Sequence, residues 1–113
     1  MALALNVFQT VTKVASTSAT DIYTAPVGYT GVVLLAQAAN VGGDTYKVSL
    51  SHKRTVSGSP VVTEIIKDLP IESSDTANLL AGKLVLETGD TLVLSADNAS
   101  NVKFIASILE TLN

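Results

Sequence analysis

One histidine and ten carboxylates are the groups in this 113-residue chain that invite a search for catalysis. His52 follows Val48 and Leu50 on an alternating stretch and shares their face. A histidine so placed is expected to be packed or at a strand edge rather than to act as a base. A Ser-His-Asp triad needs a nucleophile held on a sharp turn, and the sequence has no G-x-S-x-G. Glycoside hydrolysis needs two facing carboxyl groups. Glu64, Glu72, Glu87, Glu110 and the aspartates are instead scattered over turns and strand ends, where such residues serve solubility. Gly42-Gly43 lacks the Lys-Ser/Thr of a phosphate loop. Asp90, Asp97, Asn98 and Asn101 offer oxygens in two turns. Calcium takes about six to eight such ligands, and no EF-hand spacing is present. Asp and Asn at hairpin tips are ordinary turn chemistry. The chain has no cysteine, which removes disulfides, thiolate chemistry and Cys-based zinc sites. The residues predict no catalytic centre, no metal and no cofactor.

The elements that carry these residues read as strands. Thr, Val, Leu and Ser dominate, and period-two alternation recurs between turn signals. Residues 6–14, 22–24, 32–39, 45–55, 61–67, 76–80, 83–87, 91–96 and 102–110 are the expected strands. In "DIYTAPVGYTGVV" (21–33), Pro26 has no amide to give a ladder and Gly28 supplies a positive φ, so the segment punctuates two strands. The run "VVLLAQAA" (32–39) is nearly all apolar and is expected to be buried on both faces, central or sandwiched against a neighbour. Residues 68–75, "DLPIESSD", read as a polar connection. In the last strand Val102, Phe104, Ala106 and Ile108 should point inward. The expected fold is all-β: one domain over 1–113, an antiparallel β-sandwich or small jelly roll of about eight strands.

Composition speaks to partners. The chain is 47% hydrophobic and 15% charged, against about 25% charged in average proteins. A small domain has too much surface to hide that apolar content in one copy. A face that docks on other protein follows. Net charge is −3, and Lys53-Arg54, beside His52, is the only basic cluster. It reads as a solvated strand end, so nucleic acid is not an expected partner. Met1 to Asn6 is apolar without a basic flank, and no run approaches the ~20 residues of a membrane span. Neither a signal peptide nor a membrane partner is expected, and the missing cysteines favour synthesis inside a cell.

Three stretches carry a family resemblance: "IYTAPVGYTGVVLLAQAAN", "LVLETGDTLVLSA" and "KFIASILE". In order, they supply Tyr23-Thr24-Ala25-Pro26-Val27-Gly28, Asn40, Leu84 to Leu92, and Ile105 to Glu110. This set resembles a recurrent β-domain of tailed-bacteriophage virion proteins, including those of cyanophages. The resemblance implies a non-enzymatic virion structural protein made in the host cytoplasm. Its first form is a capsid decoration (cement) protein that stabilises the head by subunit contacts. The alternative is a neck, tail or fibre-associated subunit, in which Tyr23, Tyr29 and Tyr46 are the stacking candidates for a host glycan. Two of those tyrosines at least should pack against the sandwich. The implied partners are further copies of the chain, with a trimer the natural arrangement for a cement protein, and major capsid or other virion proteins. The contact residues to examine first are Leu3, Leu5, Pro26, Val27 and Tyr29.

Overall fold

The computed structural model describes residues 5–113. Nine strands are present among them: β1 (Asn6–Val14), β2 (Thr20–Thr24), β3 (Tyr29–Asn40), β4 (Tyr46–Val56), β5 (Ser59–Ile71), β6 (Thr76–Asn78), β7 (Leu84–Leu86), β8 (Thr91–Ala96) and β9 (Val102–Leu112). All pairings are antiparallel. One sheet runs β1-β9-β3, with β6 and β7 both on the far edge of β3; the other runs β2-β8-β4-β5.

The pairings are nested. β4 pairs with β5, β3 with β6 and β7, β2 with β8, and β1 with β9. This is a long hairpin rolled over itself, the jelly-roll arrangement. The sixth position of the roll is shared by two short strands, β6 and β7, between which Leu79 gives its amide to Ala36 O at 2.8 Å.

The alternation of side chains builds the core. Val48 and Leu50 of β4 sit opposite Ala96 and Leu94 of β8, and all four are buried. Val102, Phe104, Ala106 and Ile108 of β9 close the other side, inward as the sequence suggested.

Three expectations change. β5 continues through the polar residues 67–70 to Ile71, which is buried. Asp68 takes a left-handed φ of 52° and gives its amide to Ser49 Oγ, so a bulge carries the pairing past this stretch. The strand expected over 76–80 stops at Asn78. Only the inner face of β3 is covered: Val33, Ala36 and Ala38 are buried, whereas Leu34 and Leu35, at a bulge, are exposed.

Candidate functional site

The connections β2–β3 and β7–β8 meet at one end of the sandwich. Pro26 to Tyr29 is a turn closed by Tyr29 N–H to Pro26 O at 3.1 Å, with Gly28 at φ 85°. Glu87 to Asp90 is a second one, closed at 2.9 Å, with Gly89 at φ 88°. A positive φ at the third position defines the type II turn and favours glycine there. The two turns are bonded to each other: Gly89 gives its amide to Ala25 O, and Ala25 gives its amide to Asp90 O, both at 3.0 Å.

The second turn aims Asp90 inward, where it is 2% exposed. Arg54 Nε donates to Asp90 Oδ1 at 2.8 Å and Arg54 Nη2 to Oδ2 at 2.6 Å. The Glu87 amide donates to Oδ2 at 2.9 Å, and His52 Nε2 lies 3.0 Å from the same oxygen. The Arg54 fork, followed by His52 and the Glu87 amide, holds the Asp90 carboxyl well below the usual carboxylate range, against the opposing push of burial. Lys53 pairs in the open with Asp21. Arg54 keeps part of its side chain in solvent while its fork reaches the buried Asp90, and Asp90 is not a solubilising turn residue.

A second buried carboxylate stands beside this group. Tyr23 Oη donates to Glu110 Oε2 at 2.5 Å and Gln9 Nε2 to Oε1 at 3.3 Å. Burial, then the Glu110 bond and charge, push the Tyr23 hydroxyl above its ordinary value. Gly31 makes the room: a Cβ there would lie 3.2 Å from Tyr23 Oη. "YTAPVG", "LETGD" and the terminal "LE" thus supply two bonded groups: Asp90 with β4, and Glu110 of β9 with Tyr23 of β2 and Gln9 of β1. Asn40 works at the opposite end, donating to Asp44 O and Ile71 O and accepting from the Gly42 amide.

These polar groups are occupied in holding the fold. Asp90 engages both His52 and Arg54, and no serine bonds to His52 among the described contacts. Asp97 accepts the Lys47 amide, and Asn98 accepts those of Ser100 and Asn101, which is turn chemistry. Tyr23 and Tyr46 pack against the core, as the sequence suggested for two of the three tyrosines.

Of the contact residues named from the sequence, Leu3 lies outside the described residues. The others come together at the Pro26 end. Leu5 O accepts the Leu112 amide, and Tyr29 pairs with Leu112 across β3 and β9. Leu5 is 70% exposed and Val27, at the turn tip, 91%. Pro26 and Tyr29 are half-buried.

The sequence reading missed a larger surface, the outer side of the five-stranded sheet. Phe8 stands beside Leu109, which stands beside Val32, which stands beside Val85. Leu35 and Ile105 continue the apolar surface. Among the outward positions of the paired strands, Lys103 is the only charged residue; the rest are apolar, hydroxyl or amide side chains. The opposite sheet turns Lys47, Lys53 and Asp21 outward. The signal for the missed face was the doubly apolar "VVLLAQAA", whose outer half is open in a single copy.

No protein-family model matches the chain. No curated protein matches it in sequence. Solved structures do share its fold. It is similar to a chain in an acid-stable capsid structure of Helicobacter pylori bacteriophage KHP30, with a TM-score of 0.57 and 15% identity over 96% of this chain and 89% of that one. It is similar to a chain in the crystal structure of the IBDV viral particle, with a TM-score of 0.61 and 7% identity over 97% of this chain and 32% of that one. A chain from the disulfide-linked pili of Bacillus endospore appendages matches at a TM-score of 0.50 and 14% identity, over 96% and 88% of the two chains. At these identities the likeness is one of fold: an antiparallel, two-sheet β architecture.

Proposed function

We propose that this chain is a non-enzymatic structural subunit of a virion, and that it serves as a capsid decoration (cement) protein of a bacteriophage head. The observation that carries this reading is the apolar outer face of the five-stranded sheet, on which Lys103 is the one charged residue among the paired outward positions. Interface cores are depleted of charge in just this way, and monomeric proteins rarely leave so continuous an apolar surface open to water. The fold likeness to a chain of similar length in a bacteriophage capsid agrees with it, as does the resemblance of the three sequence stretches. A non-enzymatic role is supported by the buried polar groups, whose bonds are spent within the fold.

Cement works by burying area across subunit junctions, and about 1,600 Å² in total makes a stable contact. Leu5, Pro26, Val27 and Tyr29 at the Pro26 end are the proposed contacts to the shell. Particles lacking the chain should burst at a lower temperature, or on weaker osmotic shock, than complete ones. Equal stability of the two preparations contradicts the cement role.

A further inference from the structure

The outer face of the five-stranded sheet has a knob at one end and a hole at the other. Phe8 is the knob: it projects from edge strand β1 and is 75% exposed. The hole is a recess of about 630 Å³ bordered by Thr12, Val14, Ala39 and Ile105, with Lys103 between Val14 and Ala39. Val14 lies on the same face of β1 as Phe8, six residues along, a separation of about 20 Å.

We propose that two copies of this chain stack these faces about a two-fold axis running across the strands, each Phe8 entering the recess of the other. This deepens the structural-subunit reading, on which it rests, by naming the partner and the surface.

Three features select a second copy as the occupant. The first is charge. A partner surface bearing carboxylates or lysines would lose their hydration against a face with almost no charge to answer them. The same face of another copy brings a single charge, Lys103. The second is position. Lys103 sits at the recess end, paired across from Val14 and Ala39. An axis across the strands reverses their direction, so the two Lys103 side chains fall at opposite ends of the interface. The same operation keeps β1 over β1 and brings Phe8 onto the Val14 region of the other copy, where the Lys103 beside Val14 can also lie over the ring. A two-fold contact requires this reciprocity. The third is area. Four strands at ~4.8 Å spacing and about nine residues long present a face roughly 19 by 30 Å before side-chain relief. That is of the order of the ~800 Å² per partner that a standard interface buries. Thr10, Thr12, Ser107 and Gln37 lie among the apolar residues and supply hydrogen bonds without charge. The threefold arrangement implied by the family resemblance would need a head-to-tail contact between two different surfaces; this face is complementary to itself.

Sedimentation equilibrium on the purified chain tests the proposal. The wild type should be a dimer at micromolar concentration. Phe8→Asp and Ile105→Asp should each raise the dissociation constant at least about 30-fold. Both side chains project from the sheet, so thermal unfolding followed at a concentration where all forms are monomeric should remain cooperative, with similar midpoints. Val27→Asp, which charges a still more exposed apolar residue off this face, should leave the dimer intact. A wild-type monomer, a trimer, or a dimer that survives both substitutions overturns the inference. A monomer that is nevertheless recovered in particles overturns only the inference; a dimer absent from particles overturns the subunit reading instead.

Discussion

Asp90 shows how one side chain can hold an end of the roll together. Its carboxylate gathers Arg54, His52 and the Glu87 amide while almost fully buried. Asp90→Asn keeps the shape but removes the charge, and should cost about 2 kcal/mol, the scale of a hydrogen bond to a charged group. The pH dependence has a definite sign. A carboxyl held below its unfolded value of about 4 stabilises the fold at any pH above that value, and the contribution disappears as pH falls toward the folded one. The wild-type melting temperature should therefore decline between about pH 5 and about pH 2, and the Asp90→Asn curve should decline less. Calorimetry over that range checks this, and parallel curves contradict it. The sequence did not disclose the network. Asp90 stands in a turn that looks solvated, and its partner Arg54 is 36 positions away. An aspartate that caps a turn in the open and one that turns inward to receive a guanidinium look alike until the strands are paired.

At the scale of the element, the turns at the Pro26 end set the side chains they present. Gly89 adopts φ 88°, a conformation costly to a residue with a Cβ, although the space around it is open. Gly89→Ala should destabilise by about 1 kcal/mol through backbone strain alone. Gly82 also has open space but no left-handed φ, so Gly82→Ala should stay within about 0.5 kcal/mol of wild type. Urea midpoints of the two variants separate strain from packing; equal midpoints would remove the turn argument. Most strands were legible because alternation is a direct imprint of the pleat, as in β9, where every second residue from Val102 to Ile108 is buried. The end of β5 was not. A bulge at Lys67 and Asp68 lets pairing resume at Leu69 and Pro70, beyond residues that by type signal a loop. Splitting of the strand beside β3 into β6 and β7 was legible only in part, from the break at Gly82.

At the scale of the molecule, the roll has two unlike outer faces. The four-stranded sheet carries ion-paired charge, Lys53 to Asp21 at 2.7 Å; the five-stranded sheet presents an apolar surface with Lys103 at its end. Composition foretold that such a surface must exist, since so apolar a chain cannot bury itself. It could not say where, because topology decides which half of each alternation faces out, and β1 meets β9 only through pairs such as Asn6 with Thr111. The apolar face is what ties fold to role, and a structural subunit must be present in the particle in numbers that match a repeating shell. If the proposed role holds, quantitative mass spectrometry of purified virions from the genome that carries this chain, counting it against the major shell protein, tests it most directly. A cement protein should be found on the order of hundreds of copies per particle. A few dozen or fewer would place the chain at the neck or tail, and its absence from the particle would contradict the account outright.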